Sequence, residues 1–503
     1  MTTFDFLEVS DHSIACEFSR RFQGEFIVSN GNPYYWTGFY WDSQNATNQM
    51  SMYLSKRLYP DLDLESSSAI SDNTELMKIK KCLISRLRNC KAKEQIMKEI
   101  MVVMNDSTIK LDNKPDLFVF QNAVFNLKTG QIIEPNQKDY LTQHVGYNYR
   151  ASTPVEMDEL TKVIHQILPI EDERTYYLKL LSTGISGYQL DKFIMANNGG
   201  GNGKNVIHDL MRTMLGDMYS FKGATSTLQD PTRGGARPDI AMMNKKRFIL
   251  FSEPDANKPL CGSVIKEITG DMTVNARLLY ENEMNTVLNG TVVMMCNQRP
   301  NFNEVNDAIE RRLVDFPFRS TFMDRAKFQE LIQYNQGQPD ENYHEKNPHY
   351  TTAEFREKVK YAMFDILLMH YLKYNQEGAT MPKAIKERSH KYLEGCDEFF
   401  SWFNDNYEQK KTEPRVYVSI SDLFDEVKMA DFYGFLTREQ KRAFTKKGLI
   451  KTISENIFLK RNYCEKYENM IHGKRTRANN VIMDYQRREP EIDPTITNIN
   501  PFQ

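Results

Sequence analysis

The stretch from Asp191 to Leu215 constrains the fold more than any other. A short apolar run, DKFIMA, leads into Asn-Asn-Gly-Gly-Gly-Asn-Gly-Lys-Asn at 197–205, and Val206, Ile207, Leu210, Met211 and Leu215 follow at helical spacing. A buried strand, a glycine-rich turn and a helix in succession suit one task well. The glycines let backbone N–H groups turn inward, and the new helix adds its positive N-terminal end. The pattern for such a phosphate-cradling loop is G-x-x-x-x-G-K-[ST]. Gly203 and Lys204 fit it, Asn198 replaces the first glycine and Asn205 replaces the hydroxyl residue. We expect Gly199, Gly200, Gly201, Asn202, Gly203, Lys204 and Asn205 to hold a nucleoside triphosphate. Lys204 would bridge its β- and γ-phosphates, and the Asn205 amide oxygen would serve as a hard ligand for Mg²⁺. Taken alone, the segment could equally be a glycine-rich surface turn.

A chain of 503 residues with 40% hydrophobic and 12% aromatic content can build several cores, so two to four domains are expected. The formal net charge of −2 gives no global signal for nucleic acid. Charge is uneven, however. Arg438–Arg488 holds 14 Lys/Arg against 5 Asp/Glu, a local +9 that leaves the remainder near −11. The 7 cysteines are scattered without a C-x-x-C pair, which suggests neither a zinc site nor a disulfide framework. No signal peptide or long apolar run is present, so the protein reads as intracellular and soluble.

Before the loop, Ile14–Phe22 reads as helix and Glu25–Asp42 as a hairpin turning at Asn30-Gly31-Asn32-Pro33. Leu76–Asn105 reads as a Lys-rich helix whose basic face is ordinarily a solvated one. Phe118–Ile133 reads as a second hairpin turning at Thr129-Gly130, and Met157–Leu168 and Tyr176–Ser182 as helices. From about 190 to 320 the pattern is α/β, with chemistry at the carboxyl ends of strands, where open sheets bind ligands. Residues 325–390 look helical, with a poorly ordered loop near Tyr334–Tyr350. In the tail we expect helices at Asp397–Tyr407, Ser421–Val427 and Arg438–Lys447, then strands around Ile450 and Ile457, a winged-helix layout.

Three segments downstream of the loop carry further chemistry. Arg247–Glu253 (RFILFSE) is an apolar strand ending in an acid, the group that orients a metal shell and polarises an attacking water. Glu253 is the candidate, with Asp255 close enough to assist. Thr291–Asn297 (TVVMMCN) ends in an amide suited to sensing a γ-phosphate. Asp307–Leu313 (DAIERRL) presents Arg311 and Arg312, either of which could reach a neighbouring subunit's nucleotide as a finger. Each has a plain structural alternative: a capping acid, a turn asparagine, a surface arginine pair.

The order and spacing of these pieces resemble a superfamily 3 helicase. More narrowly, they are similar to the helicase part of primase-helicases of poxviruses, other large DNA viruses, phages and plasmids. The residues carrying the likeness are NGGGNGKN at 198–205, RFILFSEPD at 247–255, VIKEITGDMTVNARLLY at 264–280, VVMMCNQRP at 292–300 and DAIERRLVDFPF at 307–318. GGARPDIA at 234–241 and FQNAVFNL at 120–127 add to it. The likeness is strong over about 115–320 and weaker before that.

It implies an AAA+ type P-loop ATPase core (156–390), an N-terminal α+β domain (1–155) and a basic winged-helix-like C-terminal domain (391–503). It further implies a homo-hexameric ring around DNA, hydrolysis of ATP with Mg²⁺ between subunits, and 3′-to-5′ travel on single-stranded or forked DNA. Catalytic roles fall on Lys204, Glu253, Asn297, Arg311 and Arg312, and metal binding on Asn205 and Glu253. The pore-facing loops would lie between Lys266 and Met284, with Lys266, Arg277 and Tyr280 gripping phosphate or stacking on bases. The family places such proteins in the host cytoplasm or at a viral replication site, with a primase or polymerase partner and no membrane.

The sequence departs from the family at Asn198, at Asn205 and at the acidic segment Glu281-Asn282-Glu283. Asp61-Leu62-Asp63 is the only tempting carboxylate pair for a primase; it reads as a turn or helix start, so no primase domain is expected within the chain. The basic tail interleaves Phe444, Phe458, Tyr463 and Tyr467 with cations and suits nucleic acid. The competing functions are an origin-binding initiator that binds nucleotide with little hydrolysis, and another AAA+ motor such as a packaging or protein-remodelling ATPase.

Overall fold

The computed structural model describes residues 10–60, 74–230, 236–277, 284–335, 341–412, 415–471 and 474–488. Its first helix, Asp11–Phe22, starts at a capping box formed by Ser10 and Ser13 and buries Ile14, Ala15, Phe18 and Phe22. The expected hairpin follows. Phe26–Ser29 pairs antiparallel with Asn32–Trp36, and Asn30 and Gly31 between them take φ 50° and 75°, the left-handed pair that a two-residue turn needs. Trp41–Asp42 adds a third strand. The Lys-rich helix is two helices, Thr74–Arg88 and Cys90–Val103, because Asn89 caps the second by accepting from Ala92 N at 3.2 Å.

The region expected as a second hairpin has three strands, Leu117–Val119, Val124–Asn126 and Gln131–Ile133. Its extra turn is closed by Phe120 N donating to Ala123 O at 2.8 Å. Phe118, Phe120 and Phe125 each lie 5.0 Å from the Phe364 ring of the long helix Ala353–Glu377. This small sheet therefore shares a hydrophobic core with the centre of the molecule. Buried Arg247 pins the two together, donating to Leu117 O at 2.7 Å and Ile185 O at 2.6 Å with its guanidinium over the Tyr219 ring.

At the centre are five parallel strands: β1 (Phe193–Asn197), β2 (Ser220–Gly223), β3 (Phe248–Ser252), β4 (Thr291–Met295) and β5 (Leu313–Pro317). They lie in the order β5-β1-β4-β3-β2. Both faces are covered, which is why these segments read as unbroken apolar runs. On one face Ile194 and Ala196 share a core with the helix Lys204–Tyr219 and with Ala353–Glu377. On the other, Phe193 and Met195 share a core with the helix Gly262–Gly270 and with Tyr392 and Leu393 of Lys383–Cys396. A parallel sheet places every strand's carboxyl end on one edge, so the ends of β1, β3 and β4 meet there. The chain is mixed α/β with a parallel sheet, as expected.

The segment expected as a poorly ordered loop contains a strand, Tyr343–Glu345, paired parallel with Thr321–Met323, and a helical turn, Pro348–Thr351. In the tail, the strands expected around Ile450 and Ile457 are not there. Ile450 belongs to the helix Lys446–Glu455, whose Leu449 and Ile453 sit four apart on one buried face, and Ile457 lies in the turn that follows. The strands come later: Tyr463–Ile471 and Lys474–Met483 pair antiparallel, and Tyr417–Ser419 extends the sheet. Together with Glu398–Asn406 and Ile420–Met429 they enclose a separate core around Phe403, Leu423 and Ile482. Among the described residues no helix is long and apolar enough to cross a membrane.

Candidate active site

The loop leaves β1 at Asn197 and turns through three left-handed residues, Asn198 (φ 97°), Gly201 (φ 71°) and Gly203 (φ 82°). Asparagine is among the few side chains that tolerate that region, so Asn198 supplies the conformation the motif's first glycine would supply. Its amide donates to Phe318 O at 3.2 Å. Buried Asn202 braces the loop from within, donating to Asn198 O at 2.5 Å and Gly199 O at 3.2 Å. Gly203 cannot be replaced cheaply, since a Cβ there would lie 2.6 Å from Ile167.

Lys204 opens the helix and is 4% exposed. Its Nζ lies within reach of four acceptors: Asn198 O (2.8 Å), Gly199 O (2.9 Å), Cys296 O (3.1 Å) and Asn297 Oδ1 (2.9 Å). Burial lowers its pKa from the usual lysine range, with the neighbouring Glu253 acting in the opposite direction. The Asn297 amide continues the chain of contacts, its Nδ2 lying 3.3 and 3.4 Å from the two carboxylate oxygens of Glu253. Asn297 thus bridges the loop lysine and the strand-end acid, and these two partners fix which way its amide points. Glu253 is exposed and itself left-handed (φ 55°), with its N–H donating to Met295 O at 2.9 Å. A glutamate in that region is held at a cost of roughly 1–2 kcal/mol.

Asp255 is not part of this group. Its Oδ1 accepts from Asn257 N at 3.0 Å, capping the next turn. Asn205 is exposed in the first helical turn, beside the loop.

Sequence reasoning missed His208. It is fully buried one turn beyond Lys204, with Nδ1 2.7 Å from Lys204 O and Nε2 2.6 Å from the Tyr177 hydroxyl. A carbonyl can only accept, so Nδ1 carries the proton and Nε2 accepts from Tyr177. Burial lowers the imidazole pKa to about 4, keeping the ring neutral as a brace for the helix start. The available signal was a histidine at i+4 from the lysine, with the apolar Ile207 before it and Leu210 two residues on.

The other expected residues lie apart from this cluster. Arg311 and Arg312 end a short helix, Asp307–Arg312, at the start of β5 and thus at the sheet's opposite edge. Both pair with Asp191, at 3.2 and 2.8 Å. Arg312 is buried, whereas the Arg311 side chain is 62% exposed. Lys266 pairs with Glu304 at 2.8 Å. Arg277 is exposed just past Thr273–Ala276, a strand paired antiparallel with Met284–Val287. Tyr280, Glu281–Glu283, Asp61–Asp63, Gly234 and Gly235 lie outside the described residues.

Beside the loop is a cavity of about 140 Å³ lined mainly by apolar side chains, among them Val163, Ile167, Val206, Phe322 and Tyr350.

The profile of the family described as "D5 N terminal like" matches residues 17–169. Over 360 residues the chain is 26% identical to a protein of Acanthamoeba polyphaga mimivirus named "Putative helicase L207/L206", covering 69% of this chain and 36% of the relative. It is 27% identical over 253 residues to "Primase D5" of fowlpox virus, covering 48% and 31%. It is also 27% identical over 248 residues to "Uncoating factor OPG117" of vaccinia virus, covering 46% and 31%. These likenesses support a relationship to the primase-helicase family of poxviruses and other large DNA viruses. The chain spans about a third of the length of these relatives. The profile match ends before the loop, so the site residues lie beyond the segment it describes. Among solved structures, the apo C-terminal region of NrS-1 overlaps 66% of this chain and 76% of its own, with TM-score 0.38 and 13% identity.

Proposed function

We propose that the chain is the motor part of an ATP-dependent DNA helicase of the superfamily 3 type, working in the replication of a large DNA virus or mobile element. The observation that carries this reading is the Lys204–Asn297–Glu253 chain at the carboxyl edge of a parallel sheet. Three segments far apart in sequence meet there in the order that nucleotide hydrolysis uses. Lys204, released from the loop carbonyls, would bind the β- and γ-phosphates, and the N–H groups around Gly201 and Gly203 would cradle them. Glu253 would orient the attacking water and hold its proton. Asn297, touching both, would respond when Lys204 changes partner. The apolar cavity beside Gly201 and Gly203 suits the purine ring of ATP, with Phe322 and Tyr350 for stacking.

The donor set fits Mg²⁺. The Glu253 carboxylate and the Asn205 amide oxygen are hard ligands, and this ion commonly takes one or two protein oxygens with water and phosphate supplying the rest. When bound, the ion would neutralise charge developing on the transferred phosphate. Arg311 is the finger on this reading, because it is exposed where Arg312 is buried, and it would act on the site of an adjacent subunit in a hexameric ring. Residues 156–390 form the AAA+ core, 1–155 the N-terminal domain and 391–503 the winged-helix-like tail. DNA is the track, contacted by Arg277, Lys266 and Tyr280 and by the basic tail, and a primase or polymerase is the expected partner.

The test is ATP hydrolysis with and without single-stranded DNA, alongside unwinding of a forked duplex. The wild-type chain should hydrolyse ATP faster with DNA and unwind the fork, and Lys204→Ala should do neither. Hydrolysis that survives Lys204→Ala would remove the site assignment. Asn205, in place of the usual hydroxyl residue, favours one second reading: an initiator that binds nucleotide with little hydrolysis. Tight ATP binding without turnover in the wild type would select it.

A further inference from the structure

On the sheet face opposite the loop helix, Arg299, Arg319, Arg388 and Lys391 line a cavity of about 640 Å³. The strand period explains the position. Asn197 projects on the same side of β1 as Phe193 and Met195, away from the helix that carries Lys204. Beneath the cavity lies Asp315, fully buried on β5. One of its oxygens, Oδ2, faces both Arg299 Nη2 (3.1 Å) and Arg388 Nε (3.2 Å). Its other oxygen accepts from the Asn197 amide. Asn197 Oδ1 in turn accepts from Arg388 Nη2 (2.7 Å) and Arg299 Nε (3.3 Å). Two guanidinium groups therefore converge on one carboxylate oxygen and one amide oxygen.

A structural pair would need only one of these arginines. A single buried carboxylate is satisfied by one bidentate guanidinium, and a second cation beside the first adds repulsion and desolvation. The network is also incomplete: Asp315 Oδ2 and Arg388 Nε are both buried and make no hydrogen bond of good geometry. The remaining lining raises the positive charge. Lys391 is exposed and in no ion pair among the described residues, while Arg319 is held in place by a bidentate pair with Glu173 (3.0 and 2.8 Å). The one acid in the lining, Glu387, lies 3.6 Å from Lys383. Each guanidinium carries five donors in a planar fork that matches phosphate oxygens, and Asp315 and Asn197 use only some of them.

We propose that this cavity is a second phosphate-binding site, separate from the glycine loop. Its ligand is a phosphate group, supplied either as free phosphate or pyrophosphate or by the backbone of a nucleic-acid strand. Arg299 and Arg388 form its floor, and Lys391 and Arg319 its walls. Asn197 joins it to the loop, since it contacts both floor arginines and is bonded directly to Asn198.

The site can be read apart from the loop by titrating inorganic pyrophosphate calorimetrically into the full chain carrying Lys204→Ala. One equivalent should still bind. Adding Lys391→Glu, which reverses an exposed charge without touching a buried pair, should weaken that binding by about tenfold or more, the scale of a charge-assisted hydrogen-bond pair. Arg388→Gln should do the same, with thermal unfolding as the control for folding. Competition by a thymidine oligonucleotide would assign the site to a phosphodiester, and lack of competition to free phosphate; either supports the site. Loss of all binding with Lys204→Ala alone, or binding indifferent to both lining variants, overturns it.

Discussion

At the carboxyl edge of the central sheet, Lys204, Asn297 and Glu253 follow three different strands and touch in series. At the amino edge, Arg311 and Arg312 are adjacent in sequence and share a single acid, Asp191. β5 separates the two groups by five residues, roughly 16 Å at 3.3 Å per residue. The first group can act together on one ligand. The second cannot reach that ligand within its own subunit, so a catalytic part for it requires another copy of the chain. A parallel sheet gathers strand ends of one polarity by construction, whereas what arrives at the opposite edge can only serve a neighbour.

The largest effect that could break this contrast is on Arg311. On the finger reading, Arg311→Ala should lower ATP hydrolysis by about 10³–10⁵ while hardly moving the unfolding midpoint. Arg312→Ala should chiefly destabilise, by about 1–3 kcal/mol, because a buried side chain paired with Asp191 is removed. Mixing Arg311→Ala with Lys204→Ala protein should restore part of the activity, since an intact loop and an intact arginine can then meet across an interface. No recovery on mixing, with each variant folded, would place the arginine's role within one subunit or nowhere.

At the carboxyl edge, Glu253→Gln keeps the shape and removes the base. Turnover should fall by about 10²–10⁴ with nucleotide affinity retained, measured as steady-state hydrolysis against equilibrium binding of a fluorescent ATP analogue. If affinity is lost with the rate, Glu253 acts in binding rather than as the base.

His208 sharpens the comparison from below, through stability. Its folded-state pKa of about 4 lies beneath the usual 6.5, so the unfolded chain takes up a proton first as pH falls. Stability conferred by the neutral ring is complete above 6.5 and is lost as pH drops from there towards 4. At pH 5 the loss should be about 2 kcal/mol from this one group. His370, lowered to about 4 by burial beside Lys373, Lys179 and Arg174, titrates in the same window, so the test is a difference. Denaturant midpoints at pH 7 and pH 5 should diverge less in His208→Gln than in the wild type. Equal pH slopes in the two proteins would show that His208 is not the brace described.

The strand–loop–helix unit was legible in the sequence because its signals are local: an apolar run, glycines and helical spacing within one stretch. The positions of Glu253 and Asn297 just past strand ends were legible because strand polarity fixes where a strand-end residue goes. Contacts between elements were not legible. Asp191 reads as the first letter of a strand, and nothing in sequence shows that it holds both arginines. The tail strands were misplaced for a related reason. Around Ile450 a short apolar run has the same composition in either structure, and the packing of Leu449 and Ile453 on one buried face decided for helix. The three-stranded sheet at 117–133 likewise owes its first strand to burial against Phe364, a residue far along the chain.

The smallest expected effect concerns Asn205. Asn198 shows that an asparagine in this loop can replace a glycine outright, because the side chain tolerates φ 97° and finds Phe318 O. Asn205 replaces a hydroxyl residue, and there the chemistry differs. An amide oxygen on a longer side chain sits further from the helix than a serine or threonine oxygen, and it brings an N–H₂ group that a cation repels. Mg²⁺ demands near-ideal geometry at short distance, so the hydroxyl should bind it better. Asn205→Thr should therefore lower the Mg²⁺ concentration giving half-maximal hydrolysis by less than about tenfold, or 1.4 kcal/mol, leaving the maximal rate nearly unchanged. A Mg²⁺ dependence identical in the two proteins would show that residue 205 does not reach the ion. The carboxyl edge would then meet the metal through Glu253 and the phosphates alone.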